Sequence, residues 1–221
     1  MASKRRAVGS RWDTGRTEAF SDGVFAIAIT LLVLDINVPE SDFDDLWYGI
    51  AHQWPSYVGY VTSFVTIGGL WLAHHGIFRR IQYADARVTR LNLILLMIVS
   101  FLPFPTRLMS ETIRNSDAET TAAIFYGTTL LAISVVTWAL WQTVARRREL
   151  LRPDVTDEEV RAISRMAAPN IGGYAAGILL ARLFPQAAVF AFLITSIIAL
   201  IRARGAPPEN PVRQRHSGTI A

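Results

Sequence analysis

The chain has 221 residues, of which 51% are hydrophobic, and its mean hydropathy is positive. A soluble chain of this length does not need such an excess of apolar residues for its core, so the composition favours a membrane protein. The absence of cysteine excludes disulfides, thiolate metal sites and thiol nucleophiles. The net charge of +4 lies in arginine clusters between apolar runs, which is typical of cytoplasmic membrane loops and argues against nucleic-acid binding.

The first membrane span follows a polar, basic stretch, residues 1–15, which we interpret as a short cytoplasmic tail. No residue between Gly23 and Leu34 ionises. A helix from Phe20 to Ile36 would be about 25 Å long, close to the hydrocarbon thickness of a bilayer. Residues 16–35 are therefore predicted to form a span that leads out of the cytoplasm.

Flanking charges mark the second span. Residues 37–45 carry four carboxylates and no Lys or Arg, as expected of an outer loop. The second span is predicted from about Pro55 to Phe78, because a proline suits a helix start and because Arg79 and Arg80 follow directly. It returns the chain to the cytoplasmic side.

The third span is predicted from Leu91 to Phe104, a run that is short for a membrane unless its flanking arginines extend to the interface. Pro103 and Pro105 are expected to kink or end this helix. The polar residues 107–121 are then expected to lie outside the membrane.

Three further spans complete a six-span prediction. They run from Ala122 to Val144, Ala167 to Leu183 and Ala187 to Ile201, with Arg146, Arg147 and Arg148 on the cytoplasmic side. The fifth is rich in small residues, which lets helices approach closely in lipid. Residues 205–221 are Pro, Gly and Arg rich and are expected to form a disordered cytoplasmic tail. The sequence thus predicts an all-α, multi-pass cell-membrane protein with a membrane domain over residues 16–204 and both termini cytoplasmic.

The first span has two distinguishable faces. At helical spacing one face carries Gly23, Ile27, Thr30 or Leu31, and Leu34. A neighbouring face carries Asp22, Ala26, Ile29 and Val33. We expect the first face to line a passage and the second to dock against other helices.

Three motifs resemble the prokaryotic members of the transmembrane-protein-175 family of potassium channels. The first is Arg16-x-x-x-Phe20-Ser21-Asp22, followed by the apolar run to Asp35. The second is Trp71-x-x-His74-His75, and the third is Arg90-Leu91-Asn92, which opens the third span. The resemblance covers the first three spans and implies six helices per chain and a homotetramer around a central pore lined by the first helix. Potassium is then the permeant ion, and no cofactor is expected.

The resemblance also implies roles for the first face. Ile27, Leu31 and Leu34 fall at pore-lining aliphatic positions, and Thr30 falls at a pore threonine. Ile27 replaces the leucine of many relatives but keeps an apolar constriction. A ring of four Ile27 side chains offers no oxygen to replace an ion's water shell, so it would act as a dry barrier. Thr30 hydroxyls would supply the oxygens for potassium selectivity.

Asp22 needs a partner because an unpaired carboxylate at the edge of a membrane span is costly. The candidate partners are His74 or His75, Trp71 and Asn92, which together with Ser21 would form a polar network that positions the first helix. Arg16 lies six residues before Asp22 on a different face, so we expect it to reach another helix.

Several alternatives remain at this stage. The aliphatic stripe of the first helix has an alternative role in ordinary packing or lipid contact. Two adjacent histidines point about 100° apart on a helix, which disfavours a shared metal ion. A proton relay through Asp22 and His74 would make the protein a proton-coupled secondary transporter. Asp35 is either an outer-mouth charge that concentrates cations or a solvated helix-end charge. No constellation of residues indicates an enzyme, and a non-conducting scaffold is the third class.

Overall fold

The computed structural model of the chain describes residues 14–112 and 116–204, apart from the side chains of residues 116–117, 166–168 and 203–204. Most of the described chain is helical. The α-helices are α1 (Thr14–Leu31), α2 (Leu46–His52), α3 (Trp54–Phe78), α4 (Ala86–Phe101), α5 (Pro103–Thr112), α6 (Ser116–Ala145), α7 (Asp157–Ala181) and α8 (Pro185–Arg204). Short 3-10 helices cover Leu32–Asp35, Glu40–Asp45 and Arg148–Leu150. The predicted all-α class is confirmed. Residues 1–13 of the tail predicted at 1–15, and the tail predicted at 205–221, lie outside the described residues, whereas residues 14 and 15 belong to α1.

Helices α3 and α6 hold the bundle together. Helix α3 packs against α1, α5 and α8, and α6 packs against α4, α5 and α7. The main core between these helices is large and apolar, and its most completely buried side chains include Phe25, Ile67, Leu95, Tyr126 and Phe192. Because α1 touches α3 and α4 only along one side, it lies at the edge of this bundle.

Five described stretches are long and apolar enough to cross a membrane: Thr14–Asp35, Trp54–Phe78, Ala86–Thr112, Ala118–Ala145 and Pro185–Arg202. They correspond to the first, second, third, fourth and sixth predicted spans, so the multi-pass prediction is confirmed in this coarser form. The fifth predicted span, Ala167 to Leu183, coincides with the second half of α7 but extends two residues past its end at Ala181, and α7 does not meet this criterion. Its first turns carry Asp157, Glu158, Glu159 and Arg161 ahead of the apolar half.

The third span differs from its prediction. The expected boundary at Pro103 and Pro105 is the start of a further helix, α5, because proline is tolerated in the first turn of a helix. Residues 107–112 were expected outside the membrane, but they continue α5. Helix α5 packs against α3 and α6 and buries Thr106, Met109 and Ser110.

Small residues allow close approach between α6, α7 and α8. A Cβ atom added to Gly127 or Gly177 would lie within 2.5 Å of the ring of Phe192. A Cβ added to Gly173 would lie 2.7 Å from the side chain of Thr195. These glycines therefore make room for two α8 side chains, as expected of small residues at helix interfaces in lipid.

The arginine-rich end of the bundle has its own small core. Ile77, Phe78 and Trp141 belong to this second apolar cluster, and an isolated antiparallel bridge joins Ile81 to Leu151. Asp85 caps α4 by accepting hydrogen bonds from the amides of Arg87 and Val88, and its carboxylate also pairs with Arg147.

Partial burial opposes the charged form of Asp85, but the hydrogen bonds from Val88 and from Arg147 outweigh it and lower the pKa of the carboxyl. The carboxylate of Asp85 thus links the connector between α3 and α4 to the end of α6.

Candidate functional site

One face of α1 is buried in the bundle. Its members Ser21, Phe25, Ala28 and Leu32 are at most 1% exposed. Their spacing of four, three and four residues keeps them on one side of a helix, against α3 and α4. This buried face fixes how α1 is rotated about its axis.

The opposite face of α1 is not covered by any described residue of the chain. Phe20, Ile27, Leu31 and Leu34 are 58%, 61%, 40% and 71% exposed, although all four are large and apolar. Gly23 lies on the same face, and a Cβ added there would meet nothing within 4 Å. The face that was predicted to line a passage is therefore the face that the described residues leave open.

The face predicted to dock is partly buried in the bundle and partly exposed. Ile29 is half-buried and packs against the main core, while Ala26 and Val33 are exposed. The change from α-helix to 3-10 helix at Leu32 contributes to this outcome, because a 3-10 helix has three residues per turn instead of 3.6. Over this last turn the residues no longer fall on the faces that a constant period of 3.6 residues assigns to them.

Thr30 is exposed on the open face of α1. Its hydroxyl donates a hydrogen bond to the carbonyl oxygen of Ile27 at 2.9 Å. Because the hydroxyl hydrogen is engaged by its own helix, the lone pairs of the oxygen remain available to a cation.

Asp22 pairs with Trp71. The indole Nε1 of Trp71 donates a hydrogen bond to Oδ1 of Asp22 at 2.8 Å, and this bond joins α1 to α3. The Trp71 ring also stacks on His75, with 5.7 Å between ring centroids. Of the candidate partners of Asp22, Trp71 is the one that makes a hydrogen bond to it.

The remaining motif residues form a second, deeper chain of contacts. His74 Nε2 lies 2.8 Å from Oδ1 of Asn92, and Nδ2 of Asn92 donates to the hydroxyl of Ser21 at 3.0 Å. Ser21 in turn donates to the carbonyl of Thr17 at 2.8 Å. His74, Asn92 and Ser21 are each at most 1% exposed, so this series of polar contacts joins α1, α3 and α4 inside the protein.

Glu18 is a member of the site that was not predicted. Nδ1 of His75 lies 2.9 Å from Oε1 of Glu18, at an ion-pair distance but without hydrogen-bond alignment. Glu18 lies one helical turn before Asp22, so both carboxylates of α1 face the Trp71 and His75 pair. The spacing of four residues between Glu18 and Asp22 was the available signal.

The two histidines point to different partners. His74 stacks on Phe78 and contacts Asn92, whereas His75 faces Glu18. Within the described ranges, no group of three His, Cys, Asp or Glu side chains is placed to hold a metal ion. Arg16 is exposed on α1, on the open side of the helix.

Asp35 lies at the far end of α1, beside charges from α5. Its atom Oδ2 is buried and has no hydrogen-bond partner in the described part of the chain. Arg107 and Glu111 form an ion pair with 2.7 Å between Nε and Oε1, and both act electrostatically on Asp35. The charge of Asp35 is therefore balanced in part by Arg107.

Two buried hydroxyl clusters were also missed by the sequence analysis. Ser63 lies 2.7 Å from the hydroxyl of Thr106 and 2.9 Å from that of Tyr126. The hydroxyl of Ser196 lies 2.6 Å from that of Thr66 and 3.1 Å from that of Tyr174. These contacts satisfy polar groups of α3, α5, α6, α7 and α8 inside the bundle. Isolated Ser and Thr residues in apolar helices carried no spacing signal.

Comparison with known proteins finds consistent matches. The family model for "Endosomal/lysosomal potassium channel TMEM175" matches residues 16–103. A potassium channel of Streptomyces collinus is 43% identical over 162 residues, which cover 72% of this chain and 79% of that protein. The endosomal/lysosomal proton channel TMEM175 of Gallus gallus is 37% identical over 148 residues, which cover 62% of this chain but 30% of that protein.

A solved structure is similar over nearly its whole length. It is the crystal structure of a lysosomal potassium-selective channel TMEM175 homolog from Chamaesiphon minutus. The TM-score is 0.79 at 36% sequence identity, and the match covers 87% of this chain and 98% of that one. The similarity therefore extends beyond the three motifs to the arrangement of the helices.

Proposed function

The chain belongs to the TMEM175 family, and we propose that it forms a potassium-selective channel whose pore is lined by the open face of α1. It is a multi-pass membrane protein and not an enzyme. Four copies around a central axis would bring four α1 helices together. We assign the cell membrane as its location, with both termini cytoplasmic.

This proposal depends on the exposure of the open face of α1. Helix α8 is also exposed, with Gln186, Ala187 and Arg202 exposed near its ends. Between them its exposed side chains are large and apolar, as lipid contact favours: Phe190, Ile194, Ile197, Ile198 and Ile201. The open face of α1 instead includes Gly23, Ala26 and Thr30 among its aliphatic residues. Such a mixture suits close packing of four helices around a narrow passage better than it suits lipid.

Ile27 would form the constriction of this pore. It is the first bulky residue after Gly23 on the open face, and four β-branched side chains at an axis leave too little room for a hydrated ion. Without ligands for the ion, the passage at Ile27 would be dry in the closed state, and Leu31 and Leu34 would extend this apolar stretch. Conduction would need the helices to separate or rotate.

Thr30 would give the pore its preference for potassium. Its oxygen is exposed, and its hydrogen is held by the carbonyl of Ile27. Four such oxygens one turn beyond the constriction would replace part of the water shell of an ion. Asp35, further along α1, would add negative charge at the outer mouth, reduced by the nearby Arg107.

The motif residues would hold α1 at the correct rotation. The contacts from Trp71 to Asp22 and from Asn92 to Ser21 join α1 to α3 and α4 on the side away from Ile27. His75 and Glu18 add an interaction at the arginine-rich end of α1. Phe20 and Arg16, both exposed, would make contacts between copies.

We extend the topology to six spans by including the apolar half of α7. Helices α6 and α8 flank α7 in the bundle. An even number of spans would leave both termini on the side of the arginine clusters at 79–80 and 146–148.

Reconstituted protein tests this proposal directly. Purified protein in liposomes with a potassium gradient should show potassium flux that exceeds sodium flux, and the purified assembly should have the mass of four chains. Equal fluxes of the two ions, or no flux from a folded assembly, would overturn the proposal. Proton-coupled transport has less support, because Asp22 bonds to Trp71 and His74 to Asn92 instead of to each other.

A further inference from the structure

A cavity of about 140 Å³ lies between α3, α6, α7 and α8, and none of its lining residues belongs to α1. Its walls are largely apolar, with Leu70, Ile133 and Trp138 among them. An apolar protein cavity of about 150 Å³ is known to hold a molecule the size of benzene. The space is therefore suited to a segment of a hydrocarbon chain and is too small for a bulky polar group.

Three of the hydroxyl groups on the wall are already paired. The hydroxyls of Thr66, Ser196 and Tyr174 bond to one another and so need no ligand. One turn along α7 from Tyr174, the buried Oδ1 of Asn170 has no hydrogen-bond partner among the described residues. Most of the remaining wall away from Arg80 and Arg202 is apolar.

Arg80 is half-buried and lines this cavity at the end of α3. Its Nη1 donates to the carbonyl of Gly76, one turn back along α3, at 2.7 Å. The same nitrogen would lie 3.6 Å from a Cβ added to Gly76, which is itself a lining residue. This bond caps the last turn of α3 and leaves the other guanidinium nitrogens of Arg80 available to a ligand.

Arg202 contributes the second positive charge. It is exposed near the end of α8 and lines the same cavity from the other side. No carboxylate of the described residues forms an ion pair with Arg80 or Arg202. Two cationic groups at the arginine-rich opening of an apolar cavity are complementary to an anionic headgroup that carries a hydrocarbon tail.

We propose that this cavity binds an anionic phospholipid, with part of one acyl chain beside Leu70 and Ile133 and the headgroup phosphate between Arg80 and Arg202. The guanidinium of an arginine binds phosphate oxygens in pairs, which favours a phosphate over a simple surface charge. This site is independent of the passage along α1.

Lipid binding to the purified full chain tests the proposal. The probes are phosphatidylglycerol, phosphatidylcholine with the same acyl chains, and oleate, and native mass spectrometry counts the molecules bound per chain. Phosphatidylglycerol should bind most tightly. The variant R202Q should weaken its binding about fivefold, and R80Q with R202Q about twenty-five-fold, since each basic residue contributes a similar increment near an anionic lipid.

Matched variants separate a built site from general surface charge. The control R161Q removes an exposed arginine that does not line the cavity. The filling variants A73F and S134F should exclude the acyl chain, whereas V61F, at an exposed position on α3, should leave binding unchanged. The proposal is overturned if phosphatidylcholine or oleate binds as tightly as phosphatidylglycerol. It is also overturned if R202Q behaves like R161Q, or if the filling variants bind like V61F.

Discussion

Trp71 and Asp22 are joined by a 2.8 Å hydrogen bond between the indole Nε1 and a carboxylate oxygen. This bond connects two membrane helices that are also joined by apolar packing and by the approach of His75 to Glu18. Its partners come from two separate motifs, 49 residues apart in the chain. The rotation of α1, and hence the identity of its open face, depends on this contact and on the Asn92 to Ser21 bond behind it.

The Trp71 to Asp22 bond predicts a non-additive pair of substitutions. Asp22→Ala leaves the indole N–H without an acceptor, and Trp71→Phe leaves the carboxylate without a donor. Each should lower the stability of the assembled protein by about 1–3 kcal/mol. The double variant should cost less than the sum of the two, as measured by thermal unfolding of the purified assembly. Strictly additive losses would show that the bond does not hold α1.

Replacement of Thr30 by Val is expected to change ion selectivity without changing the shape of the side chain. Thr30→Val keeps the volume and removes the hydroxyl oxygen, so reversal potentials in mixed potassium and sodium should shift toward weaker potassium preference. Thr30→Ser keeps the oxygen and should retain the preference. A Thr30→Val channel with unaltered reversal potential would place selectivity elsewhere in the pore.

Ile27 and Ile29 form a matched pair on one helix. Ile27 is 61% exposed, whereas Ile29 packs against the main core. Ile27→Asn should hydrate the constriction, raising current and eroding selectivity. Ile29→Asn buries an unpaired amide, which costs about 1–3 kcal/mol, and should reduce the yield of assembled protein. Recording of single channels and size-exclusion chromatography measure the two effects. Identical behaviour of the two variants would mean that the pore face is assigned wrongly.

Asp85 predicts a pH dependence of stability. Its pKa in the folded protein lies below the ordinary value of 3.8. The Asp85 carboxylate therefore contributes fully to the free energy of unfolding above pH 3.8, and this contribution is lost as the pH falls through the lower pKa of the folded protein. Asp85→Asn keeps a capping side chain but loses the ion pair with Arg147, whereas Asp85→Ala also loses the cap, worth about 1 kcal/mol. Unfolding temperatures of wild type and Asp85→Asn should converge in acid. A constant difference down to the acid limit would exclude this linkage.

Much of the fold follows from local patterns. The arginine clusters and apolar runs locate five of the spans, and the start of α7 follows from the Thr156 and Glu159 capping box. The end of α4 just before Pro103 was predicted, but the further helix α5 was not, because a proline that interrupts one helix also suits the first turn of the next. Local sequence could not show that α5 has buried partners in α3 and α6.

The sequence predicted most residues of the site, but not which of them are in contact with each other. The motifs named Asp22, Trp71, His74 and Asn92, but which side chain meets which depends on the rotation and depth of three helices. The contact between His75 and Glu18 shows the same limit. One helical spacing marked Glu18 as a neighbour of Asp22, yet nothing in the sequence connects it to a histidine on α3.

We place Ile27 at the axis of a potassium-conducting pore. The chain has no cysteine, so Ile27→Cys introduces the only thiol, and Ile194→Cys, on the exposed side of α8, is the matched control. Potassium current through Ile27→Cys channels should be blocked by micromolar Cd²⁺, because several thiolates would meet at the axis and bind the ion together. Current through Ile194→Cys channels should be unaffected. An Ile27→Cys current that Cd²⁺ leaves unchanged, or equal block of both variants, would contradict the assignment of α1 as the wall of the pore.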